Sequence, residues 1–421
     1  MIILAKIKAG ALQFVLFIGT IIVLLLFAFI LMYHGQSLLD KKTDIIVDIV
    51  HKADQALIES FGQPLKIGQN IDLLDNVTGI ETHISKNYWG LLEQRSVVSK
   101  KGKLRFEKMA FVGYKNPNRP ALYLKDENRP MVIAGDAKLS GNAYLPERGI
   151  KMGNIRGHGY IRPRLVYGKV FRSKQNLPEL NYEVVQRLKE MTGSNYTPKG
   201  HKVRFEDGMN IKNSFQEEPM VITGESLVLN EVRMMGNIVI RATRKIQVKS
   251  TSRLRDVVLV APTIEVEKGT RGTFQAISSR RIFIGKGCQL DYPTILAVQQ
   301  DGSSLEIVNS SMEPVIHLEN DTSVSGSIFY LNKCKAKGSP SFVRMDSDAR
   351  LYGELYSEQS LELEGVVNGN VTTGSFVSFE NGNTYLNHLF KGKINAQMVP
   401  EEYCGSTYDN KMVNGIVKWL Y

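Results

Sequence analysis

Cysteine is nearly missing: Cys288, Cys334 and Cys404 are the only three in 421 residues. Few, odd in number and far apart, they exclude a disulfide framework and a Cys-x-x-Cys metal site. One bridge in an oxidising compartment stays open, and spacing does not choose its pair. The seven histidines (His34, His51, His83, His158, His201, His317 and His388) are scattered. With no His-x-x-x-His and no mixed Cys/His pairing, neither a metal site nor a cofactor is expected. No Gly-x-Ser-x-Gly elbow occurs. A concentrated basic block is missing too. Lys and Arg number 53 against 42 Asp and Glu, a formal charge of +11, which favours anionic partners: lipid headgroups, acidic polysaccharide or nucleic acid. The densest short run, Lys100, Lys101, Lys103 and Arg105, reads as solvated surface. This dispersal counts against nucleic acid as the partner.

What is present begins with one long apolar run. No charged side chain occurs from Ala11 to Tyr33, and Phe14 to Met32 is broken only by Gly19 and Thr20. At about 1.5 Å per residue this run reaches roughly 34 Å, enough for a bilayer core of about 30 Å. A secretory signal would have a shorter apolar core and small residues at its cleavage site. Tyr33-His34-Gly35-Gln36 follows here instead, so the run reads as an uncleaved single-pass anchor in the lipid bilayer. Lys6 and Lys8 before it nearly balance Lys41 and Lys42 after it. The short tail is expected to stay in the cytoplasm, with the long body outside, in the periplasm or at the cell surface.

Behind the anchor, Ile46, Ile49, Val50, Ala53, Leu57 and Phe61 fall at helical spacing among Asp44, Asp48, Lys52 and Glu59, with Gly62 and Pro64 as the stop. This predicts an amphipathic stalk helix, able to pack on its own domain, on copies of itself or on other anchored subunits. The segment Lys6-Ile7-Lys8-Ala9-Gly10 before Ala11-Leu12-Gln13-Phe14 resembles the leader and mature start of type IV prepilins and pseudopilins. The resemblance implies cleavage between Gly10 and Ala11, and a helix that carries a β-rich head. That family usually has Glu as its fifth mature residue, where this chain has Val15; some tip-capping minor pseudopilins also lack it.

From Ile71 to Tyr123 short apolar runs, with Lys100-Lys101-Gly102-Lys103 as a hairpin turn, predict a small antiparallel sheet. Tyr88 and Trp89 read as its core aromatics. From Met220 to about Val377 short apolar segments recur. Ile246-Gln247-Val248, Ile264-Glu265-Val266 and Ile282-Phe283-Ile284 start 18 residues apart, and Lys268-Gly269 and Lys286-Gly287 close the later two in register. Leu305-Glu306-Ile307 reads as a fourth member. A second set, Ile238-Val239-Ile240, Val258-Leu259-Val260, Phe274-Gln275-Ala276 and Ile295-Leu296-Ala297, runs between them. Coils of about twenty residues that stack at about 4.8 Å would bury one continuous core, so the expected fold is mainly β: a parallel β-helix, or β-solenoid. A β-sandwich remains the alternative. The runs Met131 to Ala143 and Leu363 to Val371 resemble coils of bactofilin-type polymer-forming proteins and of right-handed parallel β-helices.

The expected organisation is a cytoplasmic tail and anchor (1–35), the stalk (36–64), a small antiparallel region (65–125), the solenoid (126–385) and a C-terminal segment (386–421). A helix near 181–193, with Val184, Val185, Leu188 and Met191 on one face, interrupts the solenoid; two stretches of one solenoid or two domains are both open. Gly415 to Tyr421 reads as a last strand on the body or as a partner-binding tail. For chemistry, the candidate acids of the solenoid are Asp256, Asp291, Asp301, Asp321, Asp346 and Asp348; of these Asp346-Ser347-Asp348 alone brings two close, and strand alternation would point both carboxylates the same way. Arg344 lies two residues before. The basic glycine-rich run with Lys151, Arg156, His158, Arg162 and Arg164 could cradle an anion, but it lacks the Gly-Lys-Ser/Thr ending of a P-loop. These features predict a non-enzymatic structural or assembly protein of the bacterial cell envelope, at its sharpest a pilin-like component of a filament or secretion machine. Its partners would be the bilayer, other envelope proteins or itself, and anionic polysaccharide. A polysaccharide-binding or polysaccharide-degrading β-helix protein and a surface adhesin are the alternatives.

Overall fold

The computed structural model describes residues 9–63, 65–300, 313–333, 342–406, 408 and 411–421. They fall into two compact units: 1–60, 70–85 and 96–108 in the first, and 61–69, 86–95 and 109–421 in the second.

In the first unit one helix, α1, runs unbroken over Ala9–Glu59, about 75 Å at the usual rise. Anchor and stalk are thus one element. It contains no proline, and its residues from Leu12 to Met32 are nearly all strong helix formers or apolar. Every large apolar side chain from Leu12 to Tyr33 is exposed; this helix is long and apolar enough to cross a membrane. Farther along, Ile49, Ala53, Ala56 and Leu57 form a buried face. Ser60 donates its hydroxyl to the Leu57 carbonyl, and Gly62 turns the chain with φ +76°; Pro64 lies outside the described residues. Four strands follow, β1 (Asn70–Asp75), β2 (Ile80–Trp89), β3 (Leu92–Lys101) and β4 (Leu104–Gly113). Within the first unit β1 pairs antiparallel with 80–85 of β2. Gly102, at φ +57°, makes the expected β3–β4 hairpin. Lys52 holds Asp75 at 2.7 Å and Lys108 holds Asp54, so helix and strands are also tied by charge.

The second unit is the β-solenoid. One column of facing residues, Val203, Ile222, Ile240, Leu259, Ala276, Leu296, Ile328, Leu355, Val371, Leu122, Ala143 and Val170, runs in register through twelve rungs. At about 4.8 Å per rung the stack is roughly 53 Å long. Spatial order differs from chain order: strand 122–124 docks against the rung at 371–373, behind the last coil of the long stretch. The chain therefore builds the far end first. It then returns through residues 173–200, which carry helix α2 (Tyr182–Thr192), and starts again at 201–203. The two β stretches belong to one stack.

The set at 246, 264 and 282 pairs in the expected register. Its next member is Ile316, not Leu305, which lies outside the described residues. The second set is corrected by one residue. Ile238 faces Val257 and Gln275 faces Ile295, because bulges precede these strands. At one of them Asp256 takes φ +56°, a left-handed conformation that a short polar side chain tolerates. The neighbouring apolar residues point outward and are buried too: Val258, Val260, Ile277, Ala297 and Phe329 pack with Val184, Leu188 and Met191 of α2 and with Trp89, Phe111 and Phe215. That two-sided burial explains the unbroken apolar runs in this set. Trp89 stacks on Phe111 at 5.1 Å between centroids. Asn181 caps α2 by accepting from the Glu183 amide, 2.8 Å. Glu183 in turn takes Lys86 and the Tyr88 hydroxyl. The C-terminal strand Gly415–Trp419 is a last strand on the body, antiparallel to β4 at 110–113.

Candidate functional site

Gly10 and Ala11 sit inside α1, continuous with the apolar run. Asp346 and Asp348 lie at the turn after a strand, not on it. Strand 343–345 ends before them, and Asp348 occupies a left-handed turn position (φ +64°), so the expected strand alternation does not apply. Asp346 is engaged internally: Arg344 Nε donates to one oxygen at 2.7 Å and His317 Nε2 meets the other at 3.0 Å. Burial alone would raise this carboxyl, but the hydrogen bonds and charges of His317 and Arg344 outweigh it and hold the pKa below the usual 3.8. The stability Asp346 contributes is therefore complete above that ordinary value and lost as pH falls through the lower folded value. Asp346→Asn is expected to lower the melting temperature at neutral pH, and the gap to the unsubstituted chain should close in acid melts. The basic glycine-rich run is also occupied structurally, with Arg162 paired to Asp136 and Arg156 donating to the Asn381 carbonyl.

Among the described residues, no group of three or more His, Cys, Asp or Glu is placed to hold a metal ion. Cys288 and Cys404 are free and buried; Cys334 lies outside the described residues. Another buried carboxylate, Glu354, accepts from Ser327 Oγ (2.9 Å) and the Ser406 amide (2.6 Å). It fastens the 403–406 segment to the solenoid and has no open approach.

What folding does assemble is a cationic groove. On the solenoid face that follows each turn, outward residues stack in register: Asn210, Arg233, Arg253, Arg271 and Gln289 form one column, and Lys212, Met235, Arg255 and Thr273 the column beside it. All of these but Gln289 line a groove of about 650 Å³, with Tyr292, Asp291 and Lys418 at its side. Asp291 is its one carboxylate. Lys418 is already committed to the buried Asp256 at 2.6 and 2.7 Å. Arg253 Nη1 donates to the carbonyls of Ser250 and Ser252, 3.0 Å each, which fixes its guanidinium against the turn. Arg255 is 59% exposed, with Asp256 3.8 Å from its Nε. Lys212, Arg233 and Arg271 have no ion-pair partner among the described residues, and all three are exposed.

The arrangement is not the one that stabilises stacked coils. On the next face the cations are matched by acids across the rungs: Lys245 to Glu265 at 2.7 Å, Lys249 to Glu267 at 3.6 Å and Arg344 to Glu362 at 3.7 Å. In the groove three arginines face one another directly, an alignment that costs stability. Each neighbouring pair repels by roughly 1 kcal/mol in water at this spacing.

No protein-family model, curated protein or solved structure matches this chain.

Proposed function

We propose that this protein is a non-enzymatic, membrane-anchored structural or assembly protein of the bacterial cell envelope. The N-terminal part of α1 is the single-pass anchor, its start stays in the cytoplasm, and the solenoid is displayed outside. The observation that carries this reading is the bare apolar length of α1, with every large side chain from Leu12 to Tyr33 exposed. Exposed apolar surface on this scale marks a lipid or protein contact. The second support is the solenoid: stacked coils offer an extended, regular surface suited to a polymer or a row of subunits. A pilin-like component cut between Gly10 and Ala11 is the sharpest version.

Membrane fractionation of the full chain tests it. The protein is expected to resist extraction by alkaline carbonate and to lose its body to protease added outside spheroplasts. Release by carbonate, or protection of the body, would sink the anchored, exported reading. N-terminal sequencing of the same material separates the versions: a start at Ala11 supports the pilin-like one, and an intact Met1 removes it.

A further inference from the structure

We infer that the arginine-lined groove is a binding site for a linear, carboxylated polysaccharide lying along the solenoid axis. This rests on the body being displayed to envelope polymers, and it names the polymer's chemistry. Arg233, Arg253 and Arg271 repeat once per coil, so the groove offers one guanidinium every 4.8 Å or so. A 1,4-linked polyuronate carries one carboxylate per pyranose, a step close to the strand spacing. Successive carboxylates turn about the axis of such a chain, and the long, flexible arginine side chains, one on each rung, let several of them be met along the groove.

Residue type points the same way. A guanidinium is a planar fork that matches a carboxylate with two parallel hydrogen bonds, whereas lysine acts as a point charge. The cation column is arginine throughout; of the two lysines that line the groove, Lys212 stands in the neighbouring column and Lys418 is taken by Asp256. Hydroxyls of the sugar would find Asn210 at the end of the arginine column and the largely buried Thr273 on the groove floor. Asp291 and Gln289 mark where the cationic stretch stops. Single-stranded nucleic acid fits less well. It needs aromatic platforms on which bases stack, and Tyr292 is the one aromatic residue lining the groove. The unpaired column is also unfavourable for the coils themselves, and a bound polyanion would remove that repulsion.

The test uses the full chain in detergent micelles at low salt, titrated by calorimetry with a hexameric oligogalacturonate, with neutral dextran and with an oligodeoxythymidylate of equal charge. Oligogalacturonate is expected to bind and dextran not to. The triple variant Arg233→Ser, Arg253→Ser, Arg271→Ser should bind roughly 100-fold more weakly, about fivefold for each exposed ion pair lost. Raising the salt should weaken the unsubstituted chain in the same direction. An Arg→Lys triple variant should keep part of the affinity, and a circular-dichroism melt should show both variants folded. Absence of oligogalacturonate binding, an unaffected serine variant, or tighter binding of the oligodeoxythymidylate would each overturn the inference. None of these outcomes alters carbonate resistance or protease exposure, so failure here is distinct from failure of the anchored reading.

Discussion

Gly353→Ala is expected to lower the melting temperature of the body by roughly 10 °C, and in poorly expressing hosts to remove the folded protein altogether. Gly326, Gly353 and Gly369 face one another on successive rungs. Gly326 and Gly353 hold φ +144° and +143°, a region essentially closed to residues with a Cβ. A Cβ on Gly353 would lie 2.0 Å from the Gly326 carbonyl oxygen and 2.7 Å from the Tyr403 hydroxyl. The first of these is backbone, held by the neighbouring coil, so the clash is relieved only by parting two rungs. Strain of about 1–3 kcal/mol plus lost stacking brings the cost to about 4 kcal/mol. At about 2–4 °C per kcal/mol for a body of this size, the expected shift follows. Gly269 provides the contrast. It is also left-handed (φ +74°), but nothing lies within 4 Å of its Cβ position, so Gly269→Asn should melt within about 2 °C of the unsubstituted chain, since asparagine tolerates that conformation. Thermal melts of the three proteins by far-ultraviolet circular dichroism check this; equal melting of all three would show that the coils tolerate a side chain at the glycine column.

The coils at 246, 264 and 282 were legible because nothing is inserted between them: a constant period of 18 puts Ile246, Ile264 and Ile282 over one another. The other set slipped by one because an apolar run buried on both faces carries no alternation to mark its register. In addition, bulges such as the one at Asp256 add an unpaired residue. Helix α2 was legible from Val184, Leu188 and Met191 at helical spacing, all buried. The order of the coils was not, since the contact of 371–373 with 122–124 joins residues about 250 positions apart that look like every other rung. The groove was the least legible feature. Arg233, Arg253 and Arg271 lie 20 and 18 residues apart, so any local window holds one of them beside ordinary neighbours. The chain's +11 looked dispersed; register, which is set by the bulges, turns part of it into a column. A search for cations at the coil period, rather than in runs, would have found it.

Lys418→Met is expected to destabilise the second unit by about 3–5 kcal/mol, the usual consequence of leaving one partner of a buried pair alone. The Asp256 side chain is 1% exposed. Both its oxygens take Lys418 Nζ, at 2.6 and 2.7 Å, and one also accepts from the Tyr421 hydroxyl at 3.0 Å. Without the ammonium, that hydroxyl remains, together with the mostly solvated Arg255 whose Nε lies 3.8 Å away, to balance a carboxylate cut off from water. The bulge makes escape difficult, because the left-handed backbone at Asp256 fixes the direction of its side chain. Asp256→Asn in the Lys418→Met background removes the charge while keeping a residue that accepts this conformation. The double variant should therefore recover to within about 1 kcal/mol of the unsubstituted chain. Chemical unfolding of the four members of the cycle measures the coupling directly. Because Lys418 lies on the strand that pairs with 110–113 of β4, the single variant should also exchange its amide hydrogens faster at 415–421 and 109–113 than elsewhere in the solenoid. A Lys418→Met protein that unfolds like the original, or a double variant that recovers nothing, would mean that the pair does not hold the C-terminal strand in place. The strand would then depend on Phe215, whose ring meets Tyr421 edge-on at 5.8 Å and whose amide donates to the Tyr421 carbonyl at 2.9 Å.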